Sequence, residues 1–295
     1  MAGSGTPATA AVADALLAGL VDDAALFPPA RLPLHRALAE HTQHRQAWYA
    51  AMVGPFLCPA AAVAQLQTEL DADGALPVVL IAPPAAPDPV ADLRTAVARV
   101  QSDERLQLTG VELPQPAGGA PVDVVTQLDV TVPVWLEVNR AGDWRGTVDA
   151  IAELRGAVFA KLRMGGVEAA AVPSDAQVAG FLRHAVASGV PFKLTAGLHH
   201  AVRLSDPATG SQHGVLNVLC AVYQAQHAEG SNQVLATLAQ RDPAVLAAMA
   251  RALSVEDVIG VRTMFRSFGC CGVRDPIDDL VALGLLTTPA ASENR

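Results

Sequence analysis

Short apolar runs alternate with helical patterns along most of this chain, and this alternation constrains the fold more than any other feature. Each run has the length of a strand, is almost continuously apolar, and is usually followed by a helical pattern before the next run. Strands of this kind, joined through helices, form parallel sheets. The runs cover residues 20–27, 52–57, 76–81, 106–113, 132–138, 158–163, 190–195 and 265–269.

Eight strand and helix units predict an α/β fold, a single (β/α)8 barrel of the TIM type. The chain of 295 residues is long enough for one such barrel, which typically takes about 250 residues. An open, doubly wound sheet is the alternative. Such a sheet would carry a glycine fingerprint after its first strand, where this chain has Phe27, Pro28 and Pro29. The closed barrel is therefore the preferred prediction.

The predicted barrel domain covers residues 10–287 and includes two additions to the repeating unit. A helical pattern at residues 10–20 precedes the first strand. The alternation of strand and helix patterns is interrupted over residues 198–264, where we predict extra helices between the seventh and eighth strands. Residues 1–9 and 288–295 lack either pattern and are predicted to be flexible ends.

Charge and composition restrict the partners of the chain. The net charge of −9 and the absence of any Lys/Arg run disfavour nucleic acid, and no apolar run approaches the ~18 residues of a membrane span. The first residues lack the cationic segment of a signal peptide. Cys58, Cys220, Cys270 and Cys271 have no paired metal-ligand spacing. We expect a cytoplasmic protein with reduced thiols and a small-molecule substrate, and the sequence leaves open whether it forms a homo-oligomer.

The chain contains only two lysines, Lys161 and Lys193, and both stand in the same local pattern. Each follows an apolar run and precedes Leu, a polar residue, a further residue and glycine. Eighteen arginines carry the rest of the positive charge, so the two lysines are expected where arginine would not serve. An ammonium that can lose its proton is the chemistry that arginine lacks. The alternative is that both are strand lysines paired with carboxylates for structural reasons.

Polar side chains recur where the predicted strands end, which is the face that carries the active site in barrels of this type. An isolated charge buried among apolar residues costs several kcal/mol, so inward carboxylates here need cationic partners, and the two lysines are the obvious ones. The polar residues at these ends are Asp22 or Asp23, Glu112, Glu137, Asn139, Lys161, Arg163, Lys193, Thr195, and Ser267 or Arg266.

A functional interpretation joins these residues. A lysine beside a second cation in a partly dry site has a lowered pKa and can attack carbonyls as a neutral amine. We predict Lys193 as this amine or as a base, with Lys161 and Arg163 as electrostatic partners and Glu137 or Glu112 as the proton shuttle. Lys193 is preferred because Thr195, a glycine and two histidines crowd its strand end.

The two lysine segments, Ala-Lys-Leu-Arg and Phe-Lys-Leu-Thr-Ala-Gly, give the chain a resemblance to class I aldolases of the TIM-barrel type. The likeness covers two strands and is positional. It implies a Schiff base on one strand lysine, with a second lysine or an acid across the barrel. Paired strand lysines also occur in barrels that enolise a carbonyl compound without an imine, so abstraction of a proton by lysine remains open.

Other residues near the strand ends are candidates for binding a carboxylate or phosphate. Glycines allow backbone N–H groups to approach an anion, and a helix that begins near His213 would point its positive end at the same space. Ordinary strand-to-helix turns explain the glycines equally well. The substrate-binding candidates are Arg163, Thr195, Gly165, Gly166, Gly197, His199, His200, His213, Asn217, Asn139, Asp23 and Arg274.

The sequence therefore predicts a lysine-dependent lyase or isomerase that acts, without a cofactor, on a small oxo-acid or a phosphorylated carbonyl compound. Two alternatives stay open. His199, His200 and His213 would make the protein a metal-dependent hydrolase if they converged on one ion, although adjacent histidines on an extended strand face opposite sides. The other alternative is a barrel that binds a ligand or a protein without catalysis.

Cys270 and Cys271 are interpreted as small buried groups, because no His or Lys is adjacent to them in the sequence.

Overall fold

The computed structural model describes residues 7–71, 74–83, 87–115, 121–154, 156, 158–166, 171–206, 210–227 and 231–289. Eight parallel strands form a closed barrel, which confirms the predicted (β/α)8 architecture. The barrel strands are β1 (Val21–Asp23), β2 (Val53–Pro59), β3 (Leu76–Ile81), β4 (Leu106–Pro114), β5 (Val134–Glu137), β6 (Val158–Arg163), β7 (Phe192–Thr195) and β10 (Phe265–Cys270). Residues 1–6 and 290–295, which belong to the predicted flexible ends, lie outside the described residues.

Helices follow the barrel strands and cover the outside of the barrel. They are α2 (Leu34–Gln46), α3 (Val63–Glu69), α4 (Pro89–Gln101), α5 (Pro121–Leu128), α6 (Trp144–Glu153), α7 (Asp175–Ala187), α8 (Val215–His227) and α12 (Arg274–Ala282). An N-terminal helix, α1 (Pro7–Leu17), precedes the barrel. Side chains cap two of these helices: Asp88 accepts a hydrogen bond from the backbone N–H of Ala91, and Ser174 and Gln177 form a capping box.

The insertion between β7 and β10 contains more helices and strands than the sequence indicated. It contains a short antiparallel hairpin, β8 (Leu204–Asp206) and β9 (Gly210–Gln212), and the helices α9 (Ser231–Ala239), α10 (Pro243–Arg251) and α11 (Val255–Met264). The helical patterns in the sequence, near residues 214–227, 234–238 and 244–253, account for α8, α9 and α10 but not for α11. Its apolar residues lie on two faces, because Val255 and Ile259 are exposed whereas Val258 and Val261 are buried, and this obscures the helical period.

Two element boundaries differ from the prediction for local reasons. The strand β1 ends at Asp23 instead of residue 27, because the chain turns there and the N–H of Phe27 bonds the carbonyl of Ala24. The pair Asp275-Pro276 predicts an N-cap at Asp275, but α12 already begins at Arg274 and has no side-chain cap. In the described part of the chain, no helix is long and apolar enough to cross a membrane.

Strand register brings the charged residues of neighbouring strands to one level of the barrel. Glu137 of β5 is the register partner of Lys161 in β6, and Lys161 is in turn the partner of Lys193 in β7. Side chains alternate along a strand, so Phe192 packs outward against Phe181 of α7 while Lys193 turns inward. The carboxyl half of the barrel therefore contains charged side chains within an otherwise apolar interior.

Candidate active site

A cavity of about 290 Å³ opens at the carboxyl ends of the barrel strands, where enzymes of this fold bind their substrates. Apolar side chains such as Leu57 and Ile81 form one part of its wall. Its polar lining comes from Glu112, Glu137, Lys161, Arg163, Thr195, His199 and Cys271. Its volume lies near the lower end of the range of roughly 300–1,000 Å³ for small-molecule sites, which suits a small metabolite.

Two other depressions have different characters. A shallower groove of about 540 Å³ shares Glu137 and Arg163 with the mouth cavity and extends over Asn139 and Arg140. A larger groove of about 610 Å³ lies beside α1. Among the described residues that line it, the charged ones are Asp14 and Arg251, and the rest of its wall offers no cluster of titratable groups.

Lys161 stands between two carboxylates at the wall of the mouth cavity. Its Nζ lies 2.8 Å from Oε2 of Glu112 and 2.9 Å from Oε2 of Glu137. Glu112 is fully buried, whereas the side chain of Glu137 keeps 26% of its surface exposed at the rim. One face of this ion-pair group is therefore accessible to a ligand.

Lys193 lies deeper and does not line the cavity. Its Nζ is 2.6 Å from Oδ2 of Asp22 and 2.5 Å from Oε1 of Glu112, and its side chain is 1% exposed. The hydroxyl of Ser267 donates to the same Asp22 oxygen at 2.7 Å, and the ring of Trp135 lies 5.6 Å from Nζ. Lys193 thus links strands on opposite sides of the barrel below the floor of the cavity.

The expected lowering of a lysine pKa is wrong. Burial lowers the pKa of Lys161, but Glu112 and Glu137 outweigh burial and raise it overall. The same holds for Lys193, where Asp22 and Glu112 outweigh burial. Reciprocally, burial raises the pKa of Glu112, but the two ammonium groups hold it down at about 2. Both lysines are therefore ammonium ions at neutral pH.

The structure brings Asp22, and not Asp23, into the charged group. Burial raises the pKa of Asp22, and Lys193 and Ser267 only partly counteract that effect. Asp23 faces away from the barrel interior, accepts a hydrogen bond from the N–H of Ala25, and contacts Nδ1 of His41 at 2.9 Å. The predicted substrate-binding role of Asp23 is therefore replaced by a structural one.

Arg163 and Thr195 line the mouth cavity as their strand positions predicted. The two are register partners across β6 and β7. Nε of Arg163 donates to the carbonyl of Gly165 at 2.9 Å, so one edge of the guanidinium is fixed to its own loop. A Cβ atom on the neighbouring Gly166 would lie 3.7 Å from Nη2 of Arg163.

The glycines Gly165 and Gly197 pack against each other. A Cβ on Gly165 would lie 2.9 Å from the Cα of Gly197, and one on Gly197 would lie 2.9 Å from the carbonyl oxygen of Met164. Gly197 also has a φ of +78°, which favours glycine. The close approach draws the loops after β6 and β7 together beside the cavity.

The three histidines proposed as metal ligands do not converge. His200 contacts Asp279 at 3.1 Å, and the buried His213 contacts the carbonyl of Pro173 at 2.8 Å. His199 alone lines the cavity. Within the described ranges, no group of three or more His, Cys, Asp or Glu side chains has the arrangement of a metal site. The geometry therefore does not support the metal-hydrolase alternative.

Three further candidates lie outside the mouth cavity and contact other parts of the protein. The buried side chain of Asn217 accepts from the N–H of Arg203 and donates to carbonyls at the end of α9. Oδ1 of Asn139 accepts from the N–H of Ala141. The guanidinium of Arg274 lies 5.0 Å from the centre of the Tyr49 ring and 2.5 Å from Asp278.

The sequence interpretation missed the surroundings of His199. Its Nε2 lies 3.8 Å from Sγ of Cys271, and its Nδ1 lies 3.3 Å from Oδ2 of Asp275. These residues are more than 70 positions apart from His199, so adjacency in the sequence gave no signal. The order of strands in the barrel would have indicated this contact, because β7 pairs with β10 and the loops that follow them are neighbours.

Barrels of this fold are commonly enzymes, with catalytic groups at the strand ends that carry the polar residues here. The coarse prediction of an enzyme fits this arrangement, and a reaction class has to be inferred from the site itself. No family model matches the chain, and comparison with curated proteins finds no similar sequence.

Proposed function

We propose that this protein is a lyase or isomerase that enolises a small oxo-acid or a phosphorylated carbonyl compound. The observation that carries the proposal is the ammonium of Lys161, held between Glu112 and Glu137 at the wall of a small cavity. A fixed cation beside a partly exposed carboxylate is the combination that removal of a proton next to a carbonyl requires.

Lys161 supplies the positive charge that stabilises the enolate oxygen. An ammonium has three N–H donors, and two of them point at Glu112 and Glu137. The third is left for the substrate oxygen. Because the carboxylates fix Nζ in place, the site needs little reorganisation as negative charge develops on that oxygen.

Glu137 acts as the base in this proposal. Its carboxylate is at the rim of the cavity and touches Lys161, so a substrate whose oxygen meets Nζ presents its neighbouring carbon to Glu137. The proton moves from that carbon to the carboxylate, the C–H electron pair forms a C=C bond, and the C=O π pair moves to the oxygen beside Nζ. In an α-hydroxycarbonyl compound, transfer of the hydroxyl proton between the two oxygens and return of the carbon-bound proton to the former carbonyl carbon isomerise the substrate. In a substrate with a β-substituent, departure of that substituent with its bonding pair completes a lyase reaction.

Arg163 and Thr195 fit the remaining part of such a substrate. Both line the cavity, and a guanidinium binds a carboxylate or phosphate through paired N–H donors. A substrate that combines a carbonyl with one anionic group would contact Lys161 through the first and Arg163 through the second.

The ion pairs favour enolisation over the Schiff base that the aldolase resemblance implies. An imine requires a neutral amine, and the carboxylates around Lys161 raise its pKa. Lys193 is a weaker candidate still, since it is buried beneath the cavity between Asp22 and Glu112. We therefore assign Lys193 to the structure of the site and Lys161 to its chemistry.

Exchange of substrate protons with deuterated water tests the proposal. The protein is incubated with a panel of small 2-oxo acids and phosphorylated hydroxycarbonyl compounds, and loss of the proton next to the carbonyl is followed by NMR. We expect exchange with at least one compound, reduced by a factor of about 100 or more in Glu137→Gln and in Lys161→Met. Glu104→Gln, which removes an exposed carboxylate elsewhere, should exchange at the original rate.

Borohydride in the same reactions distinguishes the two mechanisms. Enolisation predicts no mass adduct on either lysine. An adduct on Lys161 or Lys193 would replace the enolisation mechanism by a Schiff base. Exchange at the original rate in both the Glu137→Gln and Lys161→Met variants, or no exchange with any compound, would contradict the proposed function.

A further inference from the structure

The mouth cavity contains a second reactive group that enolisation does not use. Cys271 follows directly after β10 and is half-buried in the cavity wall, with its Sγ 3.8 Å from Nε2 of His199. The other ring nitrogen of His199 lies 3.3 Å from Oδ2 of Asp275. A thiol, an imidazole and a carboxylate thus follow one another in the order that nucleophilic cysteines require.

The elements around His199 hold it in this position. It belongs to the loop after β7, whereas Cys271 directly follows β10 and Asp275 lies in the first turn of α12. Asp275 is free for this contact because it does not cap α12, and its carboxylate packs closely over Gly272. A Cβ on Gly272 would lie 2.3 Å from Oδ2 of Asp275, so only glycine leaves room for the carboxylate there.

The groups that face His199 favour its charged form. Hydrogen bonds with Cys270 and Cys271 raise the pKa of His199 to about 11, against the opposing effect of burial. A group whose pKa is raised in this way is protonated at neutral pH. An imidazolium next to a thiol stabilises the thiolate, which is the reactive form of cysteine.

The other cysteines lack this combination of access and partner. Cys58 and Cys220 are buried, and burial raises the pKa of each thiol to about 12. Cys270 also contacts His199, at 3.7 Å, but it is buried, burial raises its pKa, and its Sγ donates to the carbonyl of Gly272. The chain therefore provides three matched thiols for comparison with Cys271.

We propose that Cys271 is a nucleophile, paired with His199 and oriented by Asp275, that bonds covalently to the carbonyl carbon of a small aldehyde or ketone in the barrel mouth. The reaction starts from the pair of His199 imidazolium and Cys271 thiolate, in which the proton of the thiol is on Nε2, and the sulfur forms a bond to the carbonyl carbon. The electron pair of the C=O π bond moves to oxygen, which takes that proton from Nε2 of His199. The product is a hemithioacetal or hemithioketal, and no oxidant or reductant is needed.

The reaction is reversible and differs from the enolisation proposed above, although both take a carbonyl compound in the same cavity. It rests on the proposed function only for the class of substrate. Thiol reactivity is measured by alkylation and enolisation by proton exchange, so either proposal can fail while the other stands.

Alkylation of the intact folded protein tests the thiol. Iodoacetamide is added at pH 7, and the modified cysteine is located by peptide mass spectrometry. We expect Cys271 to be modified first, about ten times or more faster than Cys58, Cys220 and Cys270. First modification of any of the other three cysteines, or equal rates for all four, would overturn the proposal.

Variants then identify the partner. His199→Gln should slow alkylation of Cys271 at pH 7 by about tenfold or more. Cys220→Ala, which removes a thiol that contacts the carbonyl of Leu246 and does not line the mouth cavity, should leave it unchanged. Melting curves show whether each variant is folded. Equal rates in folded His199→Gln and wild type would overturn the pairing.

Protection by a carbonyl compound tests the covalent step. Small aldehydes are added before iodoacetamide, and their removal by dialysis should restore the alkylation rate. Protection that is equally strong with the corresponding alcohols would reflect simple occupancy of the cavity and would contradict bonding to the carbonyl carbon.

Discussion

At the scale of single residues, burial decides the role of each lysine. Their scarcity and matching contexts in the sequence correctly directed attention to the strand ends, and the structure brings both into contact with Glu112. The sequence could not rank them, because depth inside a barrel depends on which side chain reaches across it. Lys193 contacts Asp22 on β1 and does not line the cavity, whereas Lys161 lies at the cavity wall.

The pairing of Lys193 with Asp22 predicts a specific pattern of stability. Lys193→Met leaves the buried Asp22 without its cation and should lower the free energy of unfolding by about 3 kcal/mol. Adding Asp22→Asn should recover part of that loss, because the amide needs no counter-ion. Urea unfolding of the two single variants and the double variant measures the coupling. Additive losses would show that the pair contributes nothing beyond its separate residues.

At the scale of secondary structure elements, the period of the apolar residues predicted the barrel strands well, because buried parallel strands are almost continuously apolar. The apolar period did not predict elements whose apolar residues do not follow it. The hairpin of β8 and β9 is short and polar, and α11 exposes Val255 and Ile259. It also could not distinguish Asp22 from Asp23, because a shift of one residue exchanges the two faces of a strand.

The close approach of the loops after β6 and β7 gives a prediction at this scale. Gly189 and Gly197 both have positive φ angles, but a Cβ on Gly189 would meet nothing within 4 Å, whereas one on Gly197 would meet the carbonyl of Met164. Gly189→Ala should therefore cost about 1 kcal/mol of stability, for the left-handed backbone alone. Gly197→Ala should cost about 2 kcal/mol or more. Thermal unfolding compares them, and equal losses would argue against the close contact.

At the scale of the whole molecule, closure of the barrel assembles the site from residues that are far apart in sequence. Asp22 and Lys193 are 171 positions apart, and they meet because β1 and β7 lie on either side of β10. The repeating strand and helix pattern was sufficient to predict closure. It was not sufficient to predict the charge balance inside, where three carboxylates, those of Asp22, Glu112 and Glu137, surround two ammonium groups.

This charge balance should control how the stability of the whole molecule depends on pH. The pKa of Glu112 is about 2 in the folded protein and near 4.5 ordinarily, so its stabilising effect is present above pH 4.5 and is lost as the pH falls toward 2. That loss amounts to at most about 3 kcal/mol. Asp22 acts in the opposite sense, because its raised pKa favours proton uptake by the folded state.

Urea unfolding between pH 5 and the lowest pH at which the protein stays folded measures both effects. The free energy of unfolding should decrease as the pH falls, and the decrease should be smaller in Glu112→Gln, which has no carboxylate to protonate. In Asp22→Asn the decrease should be steeper, since the proton uptake that opposes it is gone. Glu104→Gln removes an exposed carboxylate and serves as the control. Parallel curves for all four proteins would mean that the buried carboxylates do not titrate as a linked group.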